Sequence, residues 1–424
     1  MNLDEIKAAE AKLLLPTYER NPILFVDGEG VFLIDEKGNR YLDLLSGIGV
    51  NALGYGHPAI EAAIAAQSKK LLHISNLYFH EGQAELALRL TEASGMDRAF
   101  FANSGTEAWE AALKLARAHA GLLRSEGREI GTKFLALEHS FHGRTMGSVA
   151  TTHKEKYREP FAPVMPGVEF VAFDDVKDLK AKFSSDVCAI LIEAIQGEGG
   201  IRPVSHGFIA AARELTRSTG ALLICDEIQA GMGRTGKWFA YQHYGVQPDV
   251  TTVAKPLAGG LPLGAMLCSE EAARAIHPGM HGTTFGGGPL ACATALAVFN
   301  TIEEDKLLEY VTEIGTYFHT KLYELGKKHS AITEVRGMGL MLAAEIDSAD
   351  LAKEILAEML KRRILINRTS ETVLRFLPPY ILGREHVDTA IGALDEILTE
   401  HAPQTAGASM TGGNQVGTGG KQVG

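Results

Sequence analysis

The stretch ALLICDEIQAGMGRTGKWFAYQHYGVQPDVTTVAK, residues 221–255, decides which fold is expected. It contains two short apolar runs, ALLIC, which stops at Asp226, and DVTTVA, which stops at Lys255. Short apolar runs bounded by turn residues are typical of buried strands in a parallel sheet. Ligands of open α/β sheets bind at the carboxyl ends of such strands. The sequence therefore predicts an acid and a lysine together at a ligand site.

This acid and lysine suit one cofactor, pyridoxal phosphate (PLP), which needs a lysine for a Schiff base and a carboxylate for its pyridine nitrogen. Lys255 must be neutral to react, and desolvation or a neighbouring positive charge lowers the pKa of a lysine. Asp226 would keep the ring protonated and electron-withdrawing. The alternative is a turn-capping Asp226 and a surface Lys255. The Gly/Pro-rich sequence PLAGGLPLGA directly after Lys255 favours the functional interpretation.

The glycines of the same stretch match two nucleotide-binding motifs by spacing alone. Gly231, Gly233 and Gly236 spell G-x-G-x-x-G, and the run that ends at Lys237 spells G-x-x-x-x-G-K. A P-loop needs Ser or Thr after the lysine, where Trp238 stands, and the dinucleotide motif should follow its strand at once and open a helix. We interpret the glycines as a tight loop. A nucleotide-binding protein is the alternative from a different functional class.

Composition limits the functional classes. With 424 residues, 46% of them hydrophobic, the chain can bury a large core and is expected to form two domains. A net charge of −11 disfavours partnership with nucleic acid or an anionic membrane surface. No apolar run approaches the ~20 residues of a membrane span. The four cysteines are scattered, which favours a reducing compartment over a disulfide framework or a metal site. We expect a cytoplasmic enzyme.

Strand-like and helical patterns alternate from about residue 98. The strand-like runs are RAFFAN, KFLALE, VEFVAF, VCAILIE, ALLIC, VTTVA and GAMLC. Such alternation predicts an α/β fold with a mainly parallel sheet covered by helices. We expect this large domain at residues 59–300. A smaller α+β domain at 301–401, read as strand, helix, strand, helix, is expected to be joined by the N-terminal segment 1–58. The Gly/Ser/Thr/Gln-rich tail 402–424 is expected to be disordered.

A phosphate site is predicted where RAFFAN runs into SGTEAWEAALKLARAHA. Gly105 allows a ligand to approach the backbone closely. The free N–H groups of a helix start bind anions, and the hydroxyls of Ser104 and Thr106 add donors. The structural alternative is a capping box from Ser104 to Glu107. Trp109, on the same helix, is interpreted as a core residue.

Other candidate groups follow further strands. In HSFHGRT, Phe141 could stack on a flat ring, and Arg144 could grip a substrate carboxylate through paired hydrogen bonds. Arg375 in LRFLPP is a second candidate carboxylate clamp, and Glu198 in EAIQGEGG is a candidate gate for a cation in the pocket. Thr284 in HGTTFGGGP suits a phosphate. The alternatives are a core position for Phe141, a surface ion pair for Arg144 and a solvated loop acid for Glu198.

The motifs SGTEA, SFHGRT, QGEGG, DEIQAGMGRTG, AKPLAGGLPLGA and HGTTFGG, in this order, resemble those of the class III (ω-amino acid) PLP-dependent aminotransferases. The resemblance runs from about residue 15 to 400. It implies the type I fold of PLP-dependent transferases and a homodimer whose active sites lie at the subunit interface. Asn is usual in the family where Trp109 and Gly288 stand.

Several site residues are assigned by this motif match. Lys255 resembles the Schiff-base lysine and Asp226 the pyridinium partner. Gln229 would contact the 3-hydroxyl side of PLP and Phe141 its ring, while Gly105 and Thr106 bind the phosphate. Thr284 would reach the phosphate from the other subunit.

The resemblance also implies the substrates. Arg144 resembles the arginine that holds the α-carboxylate of the amino donor. Arg375 resembles the one that binds 2-oxoglutarate and glutamate, with Glu198 pairing it when the other substrate is bound. Ile48 stands where ornithine aminotransferases carry Tyr, and an apolar residue suits a masked α-amine. We therefore expect δ-amino transfer from N-acetylornithine to 2-oxoglutarate. The alternatives are ornithine, succinylornithine, GABA or N-acyl-lysine donors.

Overall fold

The structure, a computed structural model, describes residues 1–401, so the tail at 402–424 lies outside the described residues. The strands are β1 (Phe25–Glu29), β2 (Phe32–Asp35), β3 (Arg40–Asp43), β4 (Arg98–Ala102), β5 (Lys133–Leu137), β6 (Val168–Val171), β7 (Val187–Ile192), β8 (Ile195–Gln196), β9 (Arg202–Pro203), β10 (Leu222–Asp226), β11 (Val250–Val253), β12 (Gly264–Cys268), β13 (Ile332–Met338), β14 (Met341–Ile346), β15 (Ile364–Leu365), β16 (Asn367–Thr369) and β17 (Val373–Phe376). The helical segments are α1 (Leu3–Leu13), α2 (Ser46–Gly49), α3 (Pro58–Ser68), α4 (Glu81–Ser94), α5 (Gly105–Ser125), α6 (Met146–Ala150), α7 (Glu155–Arg158), α8 (Val176–Lys182), α9 (His206–Thr219), α10 (Glu270–Ala273), α11 (Pro289–Glu304), α12 (Leu307–Lys328), α13 (Ala349–Lys361) and α14 (Arg384–Glu400).

A seven-stranded sheet forms the centre of the molecule, in the order β4-β12-β11-β10-β7-β5-β6. These are the seven runs that the sequence predicts as strands. The pairs among β11, β10, β7, β5 and β6 are parallel, whereas β12 runs antiparallel to β4 and β11. The expected α/β fold with a mainly parallel sheet is confirmed.

Helices cover both faces of this sheet. All six residues of β7 are buried, and successive side chains of a strand point to opposite faces. Ile190 and Ile192 accordingly pack with Phe208 of α9, whereas Ala189 and Leu191 pack with Trp109 and its neighbours on α5. A strand buried on both faces reads as a continuous apolar run, which is why the sequence identifies it.

Two four-stranded sheets lie outside the central one, together with a two-stranded sheet of β8 and β9. One, in the order β13-β14-β17-β16, belongs to the C-terminal part, and the other joins the N-terminal β1, β2 and β3 to β15. The run EVRGMGLMLAAEI, expected as a single strand, is instead a hairpin of β13 and β14. The physical reason is the two-residue turn at Gly339 and Leu340 between the paired residues Met338 and Met341, where Gly339 has a φ of 55° that favours glycine. We propose that the small domain comprises the N-terminal segment and the part beyond α11, since the expected boundary at residue 300 falls inside that helix.

Segment α2 is a left-handed turn. Ser46, Gly47, Ile48 and Gly49 have φ angles of 48°, 65°, 65° and 79°. The carboxylate of Asp43 accepts the N–H groups of Leu45 and Ser46 at 2.8 and 2.9 Å, and the Ser46 hydroxyl donates to the carbonyl of Leu377 at 2.6 Å. Left-handed geometry costs an L-residue about 1–2 kcal/mol, so these bonds hold the turn in place. No helix within residues 1–401 is long and apolar enough to span a membrane.

Candidate active site

Asp226 and Lys255 lie at the carboxyl ends of neighbouring parallel strands. Asp226 ends β10 and is paired in register with Thr252 of β11. Lys255 follows β11 in a left-handed conformation with φ 41° and opens a short 3₁₀ turn. Both residues line one cavity of about 370 Å³. Strained backbone at a cavity is typical of a functional residue that its surroundings hold in place.

The carboxylate of Asp226 is oriented by three donors. His142 Nδ1 donates to it at 2.7 Å, the Ile228 N–H at 3.0 Å and the Thr252 hydroxyl at 3.4 Å. The His142 ring stacks on the indole of Trp109, with ring centres 4.0 Å apart and planes within 9°. The Trp109 Nε1–H in turn donates to the Thr151 hydroxyl at 3.0 Å. A buried carboxylate fixed by three donors is suited to hold a protonated ring nitrogen.

His142 was not among the residues predicted for the site. Trp109, interpreted as a core residue, is fully buried and also supports the His142 ring. The only local signal for His142 is its place beside Phe141, in a loop after a strand end. The described residues contain no group of three side chains placed to hold a metal ion.

Lys255 lies in surroundings that favour its neutral form. Burial lowers the pKa of its ammonium group; the carboxylate of Glu198 opposes this shift, and the positive charge of Arg375 adds to it. A lysine with a lowered pKa is a better nucleophile and base near neutral pH.

The start of α5 forms the third wall of the cavity. Ser104, Gly105 and Thr106 line it. The Ser104 hydroxyl oxygen accepts the Glu107 N–H at 3.3 Å. The Glu107 carboxylate, however, accepts the N–H of Asn103 at 2.8 Å rather than that of Ser104, so the expected capping box is shifted by one residue. The N–H groups of Gly105 and Thr106 are left for an anion at the positive end of a 21-residue helix.

Phe141, Gln229 and a further acid complete the lining. Glu193, which was not among the residues predicted from the sequence, accepts the Phe141 N–H at 2.9 Å and the Gly197 N–H at 3.0 Å. Burial raises the pKa of Glu193 to about 7. Its position, four residues before Gly197 in the motif EAIQGEGG, was the available signal.

Arg375 and Glu198 form a pair at the edge of the cavity. Arg375 Nη1 donates to Glu198 Oε1 at 2.5 Å and to Gln229 Oε1 at 3.2 Å, and its Nε donates to Asn367 Oδ1 at 3.0 Å. Burial acts to raise the pKa of Glu198, but the charge and hydrogen bond of Arg375 outweigh it and hold the pKa below its ordinary value. The two residues expected to pair from the sequence are thus in contact.

Four expected site residues do not line this cavity in the described part of a single chain. Arg375 contacts its lining residues Glu198 and Gln229, whereas the other three lie further from the cavity. The guanidinium of Arg144 is exposed and lies 3.7 Å from the ring centre of Tyr157. Ile48 is 40% exposed, although Val50, two residues on, lines the cavity. Thr284 is exposed and lines a separate depression.

The glycines of the G-x-G-x-x-G match pack against other elements of the fold. A Cβ at Gly233 would lie 3.0 Å from Leu308, and a Cβ at Gly236 would lie 2.1 Å from the Thr312 hydroxyl, both on α12. These glycines are therefore explained by close packing against α12, in agreement with the interpretation as a tight loop.

Comparison with known proteins places this site in a family. The family model described as "Aminotransferase class-III" matches residues 15–398. The chain is 48% identical over 394 residues to the acetylornithine aminotransferase of Methanocaldococcus jannaschii, covering 92% of this chain and 97% of that protein. It is 46% identical over 391 residues to that of Caldanaerobacter subterraneus, covering 92% and 98%.

A solved structure shows the same fold. The ornithine aminotransferase of Toxoplasma gondii, in a structure described as having partial occupancy of PLP at the active site, superimposes with a TM-score of 0.89 at 30% identity. The match covers 94% of each chain. The chain belongs to the class III aminotransferase family, and it has the type I fold of PLP-dependent aminotransferases. The family expected from the motifs is confirmed.

Proposed function

We propose that this chain transfers the δ-amino group of N-acetylornithine to 2-oxoglutarate, giving N-acetylglutamate 5-semialdehyde and glutamate, a step of arginine biosynthesis. The observation that carries the proposal is near-complete coverage of acetylornithine aminotransferases at 46–48% identity, together with a cavity built for PLP. Ornithine is the second candidate donor, because the T. gondii ornithine aminotransferase shares the fold at 30% identity.

The cavity fits PLP by its chemistry. Asp226 would hold the pyridine nitrogen, Lys255 the reactive carbon, and the start of α5 the phosphate. Phe141 would cover the ring and Gln229 its 3-hydroxyl side. The buried carboxylate at one wall and the helix N-terminus at another match the two charged ends of the cofactor.

Different side chains of the protein have different roles in the reaction. Bound PLP supplies an electron-withdrawing ring that acidifies the substrate carbon and carries the amino group between the two substrates. Lys255, whose pKa is lowered by burial, would take the proton from Cδ of the donor. Asp226, fixed by His142, keeps the ring nitrogen protonated. Because the amino group waits on the enzyme until the second substrate arrives, ping-pong kinetics follow.

Each of the two arginines would bind the carboxylate of a different substrate. Arg144 would hold the α-carboxylate of the donor, and Arg375 a carboxylate of 2-oxoglutarate. While Glu198 pairs with Arg375, the site presents a neutral surface to N-acetylornithine. When Glu198 leaves Arg375, the arginine is free for the dicarboxylate. One site can thus accept two differently charged substrates in turn.

A homodimer with shared active sites is part of the proposal. An apolar strip is exposed on the single chain; it consists of Leu71, Leu72, Leu77, Tyr78 and Phe79, and Phe285 is also exposed. Asn76, within this strip, donates to the carbonyls of Thr283 and Gly286 at 3.1 Å. Exposed apolar surface of this kind marks an interface. A second copy on it would bring the Thr284 loop towards the partner's cavity.

We also propose a cytoplasmic location, supported by four buried cysteines that are all unpaired.

The test is an absorbance spectrum of the PLP-loaded protein before and after addition of N-acetylornithine without an acceptor. We expect the band of the bound cofactor to shift with N-acetylornithine and to return with 2-oxoglutarate. Lys255→Ala should abolish both changes and turnover. If the band responds only to ornithine or GABA, that amine replaces N-acetylornithine as the proposed donor. Substantial turnover by Lys255→Ala would refute the assignment of Lys255.

A further inference from the structure

Glu198 stands in a tight turn. The Gly200 N–H donates to the Gly197 carbonyl at 3.4 Å, which makes residues 197–200 a turn with Glu198 at its second position. The Glu198 side chain is 35% exposed, whereas that of Arg375 is 1% exposed. Of the two paired groups, Glu198 is therefore the one with room to move.

One end of this turn is held by Glu193. The two carboxylate oxygens of Glu193 accept two backbone N–H groups, that of Gly197 at 3.0 Å and that of Phe141 at 2.9 Å. Glu193 is 6% exposed, so water competes little for these bonds. One buried side chain thus ties the first residue of the turn to the segment that carries Phe141.

The other end is held by Arg336, which belongs to β13. Its Nε donates to the Gly200 carbonyl at 2.9 Å. Its two remaining nitrogens pair with Glu334 at 2.7 Å and Glu345 at 2.6 Å, so the charge of Arg336 is balanced away from the turn. The turn is therefore fixed to the C-terminal sheet as well.

The backbone also has little room to shift. A Cβ at Gly197 would lie 2.2 Å from Gln229 Oε1, and a Cβ at Gly199 would lie 2.8 Å from the His139 carbonyl. The turn is packed on Gln229 beneath it and held at both ends. Motion of Glu198 away from Arg375 then falls to its side chain, while the backbone of the turn stays in place.

We propose that Glu193 and Arg336 are positioning residues that clamp the 197–200 turn and so make Glu198 an effective intramolecular competitor for Arg375. The inference rests on the proposed function, because it takes Arg375 as the site for a carboxylate of 2-oxoglutarate. A tethered carboxylate competes through its effective concentration, which is highest when the tether is rigid and correctly placed. Releasing either end of the turn weakens the competitor and leaves Arg375 more available to a dicarboxylate.

The measurement is isothermal titration of the PLP-loaded enzyme with glutarate, a dicarboxylate that carries neither an amino nor a keto group. We expect Glu193→Gln and Arg336→Met each to lower the Kd of glutarate about three- to tenfold, because both loosen the tether. Glu198→Gln removes the competitor and should lower the Kd at least as far. A gain in affinity is informative, since damage to the fold lowers affinity instead.

Glu227→Gln is the matched control. Glu227 is also a buried acidic side chain whose oxygens accept two backbone N–H groups, those of Ala240 at 2.7 Å and Tyr241 at 2.9 Å, but it does not hold the turn. Its replacement should leave the Kd of glutarate unchanged. Arg336→Lys, which keeps the charge and a donor, should restore much of the wild-type Kd. If Glu193→Gln is not recovered as folded holoenzyme, Glu193→Asp, which is shorter by one methylene, serves the same test.

The outcomes distinguish a failure of the proposed clamp from a failure of the proposed function. One outcome is that Glu198→Gln tightens glutarate binding while Glu193→Gln and Arg336→Met leave it unchanged or weaken it. That result would refute the positioning role of Glu193 and Arg336 but keep the pairing of Glu198 with Arg375 as the gate. If the wild type turns over no N-acetylornithine with 2-oxoglutarate, or Glu198→Gln does not tighten glutarate binding, the proposed function or its gate fails instead.

Discussion

Replacing Arg375 with Met tests stability and substrate choice in one variant. Met fills much of the same space but removes the charge, which leaves Glu198 without its partner. Breaking a buried ion pair costs about 3–5 kcal/mol. Because the Glu198 side chain is 35% exposed, solvent screening reduces the expected loss to about 1–3 kcal/mol. The same variant should lose about 100-fold or more in its reaction with 2-oxoglutarate, because charge-assisted hydrogen bonds contribute about 1.5–3 kcal/mol each.

The double variant Arg375→Met/Glu198→Gln separates the two effects. Urea unfolding of the holoenzyme should show that the second change recovers most of the lost stability, since no unpaired carboxylate remains. Rapid mixing of the amine-loaded enzyme with 2-oxoglutarate should show that the rate is not recovered, while the half-reaction with N-acetylornithine persists in both variants. Recovery of the 2-oxoglutarate rate in the double variant, or equal loss of both half-reactions in the single one, would refute the assignment of Arg375.

Three further outcomes follow from the site. Arg144→Ala should raise the KM of N-acetylornithine about tenfold and leave that of 2-oxoglutarate nearly unchanged, as measured by two-substrate kinetics; similar increases for both would contradict the division between the arginines. Burial raises the pKa of Glu227 to about 8, so the stability that its protonated form contributes is fully present below about pH 4.5 and is lost as the pH rises through 8. The Tm of the wild type should therefore fall progressively relative to that of Glu227→Gln between about pH 5.5 and 8.5. A constant difference in Tm would argue against a buried, protonated acid. Trp109→Ala should lower kcat about two- to tenfold by freeing the ring of His142, whereas Trp109→Phe should keep most of it, and an equal loss in both would mean that stacking is not the cause.

The sequence predicts the central sheet well because its signal is local. Each of the five inner strands is a short run between turn residues that is buried almost throughout, and burial on both faces makes such runs continuous. The edge strands β4 and β6 are only partly buried. The error at residues 334–346 has a local cause as well. The run EVRGMGLMLAAEI is predominantly apolar and reads as a single strand, although Gly339 turns the chain back into a hairpin.

The candidate site is predictable only in part. Asp226 and Lys255 follow from strand ends and the rule for ligand sites, and Arg375 with Glu198 follows from resemblance. His142 and Glu193 escape because their partners are distant in sequence. His142 lies 84 residues from Asp226, and Glu193 lies 52 residues from Phe141. Only the order of strands in the sheet brings these loops together, and no local pattern encodes that order.

The left-handed turn at residues 46–49 also bears on how substrate choice can diverge among relatives of this chain. The backbone at position 48 has a φ of 65° that the anchors at Asp43 and Ser46 hold in place. A β-branched residue such as Ile48 adopts this conformation least readily, so most other side chains fit the same backbone at no greater cost. Exchange of the side chain there leaves the turn and its hydrogen bonds intact. We propose position 48 as a site of donor preference, where a single substitution changes the side chain without a compensating change in the turn that carries it.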